Sequence, residues 1–249
     1  MPVTTIADLL RLLTREPGRP RITWYGHGGE RVELSGAVLE NWVNKTTNLL
    51  VEELDVQPGT RVLLDVPMHW RTATWALATW RAGGTVVLAD SPDASGTDVT
   101  VTDRPDAHAD GRAQLVVVSL PALARRYDGT LPAGALDAAS SVMTYGDVIG
   151  WAPAADPSSV ALEAHDLAVP HAELFGWAAP STGDEPAVRE LRTADAGAVD
   201  AAALAGTLRV LAADGSVVLV DTVVAGELAA DPDRRDRLAS SERITRTAG

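Results

Sequence analysis

Side chains that could do chemistry are densest in DPSSVALEAHDLAVPHAELFGWA, residues 156–178, where Glu163, His165, Asp166, His171 and Glu173 crowd together. Imidazoles beside carboxylates can ligate a metal or pass a proton. Two histidines converge on a metal when they sit four apart on one helix face. Here they are six apart, across a break that contains Pro170, so no metal site is expected and the group reads as polar loop residues. His171 remains as a candidate ligand contact. The stretch reads as a short apolar strand, a polar break and an amphipathic helix. Such a junction holds a phosphate when glycines bring backbone N–H groups close to it. There is no glycine between Gly150 and Gly176, and the one lysine in the chain is Lys45.

Other arrangements were weighed on the same terms. No Gly-x-Ser-x-Gly occurs, so a serine triad has no support. The first βα turn, DVPMHW, holds Pro67 and no glycine, which excludes close approach of a dinucleotide pyrophosphate. Gly26, Gly28 and Gly29 lead into a strand rather than a helix and suit a hairpin. Carboxylates are many, and no spacing singles out a pair for acid–base work. Asp90 and Ser91 close the run TVVLAD, where open α/β sheets place ligands. Asp90 is therefore the second candidate ligand contact. Without cysteine there is neither a disulfide nor a thiolate nucleophile.

The elements that must position these residues follow from periodicity. A short amphipathic helix begins after Thr4 or Thr5, and RITWYGHGGERVEL (21–34) is a hairpin. Ser35 caps a long helix. RVLLDVP (61–67), HWRTATWALATWRAGG (69–84) and TVVLAD (85–90) make a βαβ unit whose strands read as buried on both faces, hence parallel. Trp70, Trp75 and Trp80 of its helix read as packing residues. TDVTVTD and AQLVVVS continue the alternation. The Gly-, Pro- and Ala-rich stretch 128–159 marks a boundary, giving subdomains of 1–135 and 136–249. The second holds SSVALEA as a strand, HAELFGWAA as a helix, an alanine-rich helix near 198–213, the strand GSVVLVD, the helix DPDRRDRLASSE and a last core strand, RITRTAG. The class is α/β with an open, mostly parallel, doubly wound sheet.

The 249 residues can bury a sizeable core, and net charge is −13. Such a surface repels nucleic acid and anionic lipid. The arginines of DRRDRL (233–238) alternate with aspartates and read as a solvated helix face. The first twenty residues put Asp8 ahead of the apolar positions, unlike a signal peptide, and no run is long enough to span a membrane. A cytoplasmic location is expected.

The run GERVELSGAVLENWVNKTTNLLVEELDVQPGTRVLLDVPMHWRTATWALATWRAGGTVVLAD (29–90) resembles the amino-terminal part of the adenylate-forming (AMP-binding, acyl-CoA synthetase-like) superfamily, in the order and spacing of its pieces. LAADGSVVLVDT (211–222) and ERITRTAG (242–249) resemble later segments of those enzymes. The chain is most similar to short actinobacterial relatives of them. The resemblance implies a Ser/Thr/Gly-rich loop followed by Lys-Gly that wraps ATP phosphates, further motifs for adenine, ribose and magnesium, and a mobile domain with a catalytic lysine. PHAEL looks like the segment just after that loop. The loop itself is reduced to EAHDLAV, where Glu163 and Asp166 oppose a phosphate. The resemblance puts the later motifs and the mobile domain beyond residue 249, and Lys45 on the wrong helix to replace the lysine.

These readings give a non-catalytic relative of acyl-CoA synthetase-like enzymes, a pseudoenzyme that binds a small molecule or a protein partner, with no cofactor and no catalytic residue. The alternative is an enzyme that binds a nucleotide or acyl ligand in the residual cleft and does altered chemistry. A pocket near Asp90 and His171 would favour a ligand; a cleft filled by Trp151, Phe175 and Trp177 would not. A homodimer through the sheet edge near residue 249 is a further expectation.

Overall fold

The computed structural model describes residues 3–179, 187–194 and 197–248. Helix α1 (Ile6–Leu13) opens on a capping box, in which the Thr5 hydroxyl accepts from the Asp8 N–H and the Asp8 carboxylate accepts from the Thr5 N–H. Hydrogen bonds from the Thr5 and Thr4 hydroxyls hold the Asp8 carboxyl down at about 2. Strands β1 (Pro20–Gly26) and β2 (Glu30–Ser35) form the expected hairpin, with Gly28 and Gly29 at φ of 73° and 84°. Ser35 caps α2 (Gly36–Glu52). Then come β3 (Arg61–Asp65), α3 (Trp70–Arg81) and β4 (Thr85–Leu88) of the βαβ unit, followed by β5 (Val99–Thr102), β6 (Gln114–Val117), β7 (Leu136–Asp137) and α4 (Ala138–Ser141).

In the second half, β8 (Val160–Ala164) is followed by β9 (Leu167–Pro170) and α5 (Leu174–Ala178). After β10 (Arg189–Thr193), α6 (Ala201–Ala212) and β11 (Ser216–Val220) come α7 (Thr222–Ala230), α8 (Pro232–Ser241) and β12 (Arg246–Thr247).

Two sheets result. One has the order β12-β10-β11-β1-β2, the other β7-β6-β5-β3-β4-β8-β9. All pairs are parallel except the hairpins β1–β2 and β8–β9. The α/β class and mostly parallel sheets agree with the sequence reading. A cut at 135/136 does not separate the sheets, since β1 and β2 pair with the carboxy-terminal strands and β8 and β9 with the central ones.

The core lies between the sheets. Helix α3 fills it, and every residue from Trp70 to Trp80 is buried. The helix is enclosed on all sides although Arg71, Thr72, Thr74 and Thr79 are polar; the Thr72 and Thr74 hydroxyls donate to Pro67 O and Trp70 O. Trp70, Trp75 and Trp80 are packing residues, as read from the sequence; the Trp80 indole N–H donates to Ala161 O at 2.7 Å and ties α3 to β8. From the sheets, Ile22, Val217 and Leu219 face Val62, Leu64 and Val86 across the helices. On the outer side of the first sheet, Val218 and Val220 pack against Val224 and Leu228 of α7. The outer side of the second sheet bears Leu63, Val87, Thr100 and Leu115 in register, covered by loops rather than helices.

The structure departs from the sequence reading at three places. The polar break before PHAEL hides the strand β9, whose four residues carry too short a pattern to read. Helix α7 follows β11 directly, capped by Asp221, where VVAGELAA has no clear apolar stripe to announce it. The last strand is not a core strand: β12 is two residues at a sheet edge, with Thr247 exposed. The arginines of α8 are exposed, as expected. Among the described residues no helix is long and apolar enough to cross a membrane.

Buried carboxylates pin the edge of the first sheet. Glu190 of β10 is fully buried and meets Arg192, Arg209 and Arg246. Burial alone would raise its pKa; the hydrogen bond from Arg192 and the charge of Arg209 hold it below the usual range. Glu242 behaves likewise against Tyr25, Arg189 and Arg31. Both folded pKa values lie below the unfolded ones, so their contribution is complete above about pH 4.5 and is lost as pH falls through the folded values. Glu190→Ala leaves arginines without their buried partner and should cost about 3–5 kcal/mol by urea unfolding. Trp75→Ala, a cavity inside the helix layer, should cost a similar 3–5 kcal/mol.

Candidate functional site

Ligands in open α/β sheets bind outside the carboxyl ends of the strands, where the connections diverge. In the seven-stranded sheet the chain turns one way after β3, to β4, and the other way after β5, to β6. The switch point therefore lies between β3 and β5, whose last residues, Asp65 and Thr102, are register partners. Asp65 is 4% exposed. Its carboxylate meets His108 Nε2 at 2.7 Å, the Arg104 guanidinium and, at 3.3 Å, the Thr102 hydroxyl. Burial works to raise the Asp65 pKa, but the hydrogen bond from His108 and the charge of Arg104 outweigh it and the net shift is downward. Beside this cluster is a cavity of about 450 Å³, floored by Leu63 and Thr100 and walled by Ser95, His108 and Arg112.

A second cavity, of about 490 Å³, lies where the carboxyl ends of both sheets meet. Trp24, Gly26 and His27 reach it from β1, Pro67, Met68 and His69 from β3, Leu120 and Pro121 from β6, and Asp221 and Thr222 from β11. The segment after β10 closes one side, with the Val199 N–H donating to Val66 O at 2.7 Å. Glu30 braces another: one carboxylate oxygen accepts from the Trp24 indole N–H at 3.0 Å, the other from the Ala122 N–H. A Cβ on residue 26 would sit 2.7 Å from that carboxylate and 2.8 Å from the Trp24 indole nitrogen, so a side chain there would displace this bond. Asp221 caps α7 and accepts from the His27 N–H.

The functional group of this crevice is His69. It is 1% exposed, and its Nδ1 accepts from the Arg71 N–H at 3.1 Å as the cap of α3. The proton of the neutral ring then sits on Nε2, which is buried with no hydrogen-bond partner among the described residues. Trp24 meets the ring edge-on at 4.3 Å. Burial, with help from the Arg71 charge, pushes the His69 pKa down to about 3. His69 lines the crevice together with Glu30 and Asp221, so one imidazole and two carboxylates border it.

The residues picked from the sequence do not converge. Asp90 is exposed just past the carboxyl end of β4, while His171 lies near the opposite end, half-buried against Gly83 and Gly84. The strand between them separates the two by roughly 20 Å. Burial lowers the His171 pKa. Glu163 pairs with Arg61 rather than opposing a ligand. His165 and Asp166 are the exposed turn of the β8–β9 hairpin, with His165 at a φ of 30°. Among the described residues no group of three or more His, Asp or Glu side chains is placed to hold a metal. Of the aromatic residues that could fill a cleft, Trp151 is 68% exposed, and Phe175 and Trp177 pack on the core. Asp65 ends an apolar strand as Asp90 does; the rule that chose Asp90 needed the strand order to choose Asp65. Nothing in RPDAHAD, a loop without periodicity, marks His108.

No family model matches the chain. It is 34% identical over 246 residues to a TIGR03089 family protein of Mycobacterium tuberculosis, covering 94% of this chain and 93% of the relative. Solved structures share the fold at lower identity. A coronafacic acid ligase variant from Pectobacterium brasiliense matches with a TM-score of 0.69 and 9% identity over 98% of this chain and 50% of its own. The amide bond synthetase McbA from Marinactinospora thermotolerans gives 0.63 and 18% over 98% and 48%, and the Brucella canis acyl-CoA synthetase 0.63 and 17% over 86% and 46%. The chain spans about half the length of these enzymes and has the α/β fold of their amino-terminal part.

A testable consequence concerns His69. Its folded pKa lies below the unfolded value, so the stability it confers is complete above about pH 6.5 and is lost as pH falls toward 3. At pH 5 the loss is about 2 kcal/mol. The imidazole NMR signals of His69 should stay unshifted from pH 8 to pH 5, and His69→Phe should flatten the stability profile between pH 6.5 and 5.

Proposed function

The chain belongs to the TIGR03089 family, and we propose that it is a small-ligand-binding protein on an adenylate-forming scaffold, one that does not form acyl-adenylates. The observation that carries this reading is the β8–β9 turn. Where the resemblance puts a glycine-rich, lysine-bearing phosphate loop, the strands are joined by His165 and Asp166 alone. The strand N–H groups on either side are taken up by the ladder, Lys45 donates to Tyr145 O elsewhere, and Asp166 adds negative charge at the turn. A catalyst that loses one preorganised donor gives up about 3–4 kcal/mol of transition-state stabilisation. Losing the whole cradle removes the reaction.

The binding site is the crevice around His69. It is apolar over most of its wall, concave and of ordinary ligand size, with a few convergent polar groups. The ligand donates toward Asp221 and Glu30 and accepts from His69 Nε2. Phosphate groups are disfavoured by those two carboxylates.

The second reading, an enzyme of altered chemistry, is favoured by the Asp65–His108 pair. A buried carboxylate that orients an imidazole beside a cavity is a general-base arrangement. On that reading His108→Ala abolishes a turnover that His69→Phe leaves in place.

The deciding measurements are ATP–pyrophosphate exchange with a panel of carboxylic acids, and thermal shift with Mg-ATP, AMP, CoA, fatty acids and a non-hydrolysable acyl-adenylate mimic. Exchange should stay at background, and exchange above it overturns the reading. A ligand at 100 times its Kd stabilises by about 2.7 kcal/mol, which should raise Tm by roughly 5 °C or more. His69→Phe should abolish that shift. No shift with any compound would turn the search to a protein partner.

A further inference from the structure

Arg71 is a buried cation. It is 7% exposed, and among the described residues no carboxylate lies within ion-pair distance of it. Its guanidinium lies 4.3 Å from the ring centre of Trp70 and 5.5 Å from that of Trp42, and its contacts to Pro121 O and Ala122 O are long, at 3.4 Å. Burial pulls its pKa down only to about 10, with Glu30 the attraction that opposes the shift, so it stays charged at neutral pH. An unpaired charge in such a place is costly.

Three buried polar groups here have no partner among the described residues: Arg71 Nε, the Trp70 indole Nε1 and the Ser119 hydroxyl. All three residues line one small cavity between α2, α3 and the end of β6, lined also by Trp42 and Thr74 and separate from the His69 crevice. Its volume is about 10 Å³, room for one water-sized occupant. Two of the three groups can only donate. A water there would accept from both and then need acceptors for its own protons, whereas an anion needs donors alone. The first turn of α3, the positive end of its dipole, adds to the same field.

We propose that Trp70, Arg71 and Ser119 form a buried site for one halide-sized anion, which neutralises Arg71 and locks the start of α3 to the end of β6. The probe is chloride. Thermal unfolding is followed as gluconate is replaced by chloride, bromide or sulfate at constant ionic strength. Chloride and bromide should raise Tm saturably, by roughly 5 °C or more at 100 times Kd, and sulfate should not. Trp70→Phe keeps the ring and removes the N–H, and Ser119→Ala removes the hydroxyl; each should weaken halide affinity at least tenfold. Arg71→Met should abolish the response, and if it fails to fold the other two variants decide. Crystals grown in bromide should give one anomalous peak beside Arg71 Nε. A halide-independent Tm overturns the proposal, as do an equal response in all variants, an equal effect of sulfate, or water density without an anomalous peak.

Discussion

Everything in this fold is arranged around a helix that has no exposed side. Helix α3 runs between two sheets with Trp70 through Trp80 all buried, so it must be enclosed by both sheets and by its helical neighbours before it is stable. Neither sheet can be withdrawn without exposing tryptophans that bury 150–250 Å² each. This explains why the chain laces the sheets together, sending β1 and β2 to join β10–β12 and returning β8 and β9 to the central sheet. The two halves share one core.

Enclosure of α3 also decides where chemistry can occur. Both ends of a buried helix need partners for backbone groups and charges. At the amino end this is met by His69 as the cap, with Arg71 directly after it. The same demand that buries His69 strips it of charge and leaves its Nε2–H buried without a partner among the described residues. The carboxyl ends of both sheets rim the crevice that His69 lines because β1, β3, β10 and β11 point the same way. The polar groups here are therefore consequences of the packing, and their burial makes them strong recognition elements.

Much of this was legible in the residues. The apolar strands RVLLD and TVVL, the capped helices and the hairpin glycines are local signals, and the βαβ unit follows from them. What escaped the sequence is information that exists only once strands are ordered. Asp90 and Asp65 look alike in the sequence; only the order β6-β5-β3-β4 puts the switch point at Asp65. His171 belongs to the densest titratable cluster of the sequence, yet it lies at the other end of β4 from Asp90. His69 stands in DVPMHW as an unremarkable polar residue, and its burial depends on Trp24 of β1, with β2, α2 and β3 between them in the chain. Short elements such as β9 and β12 carry too few residues for a pattern.

The β8–β9 turn separates what the scaffold needs from what its relatives' chemistry needs. The two strands pair through backbone ladders and cover α3 through Ala161, Leu162 and Val169. None of those contacts involves residues 165 or 166. The joining turn can therefore shrink to its minimum without uncovering the central helix, so stability exerts no pull to keep a long phosphate-binding loop. The reverse does not hold for His69 and Arg71, whose burial is tied to the packing of α3. On the proposed reading the loop-borne chemistry is the part that is lost, and the groups set into the core are the part that persists.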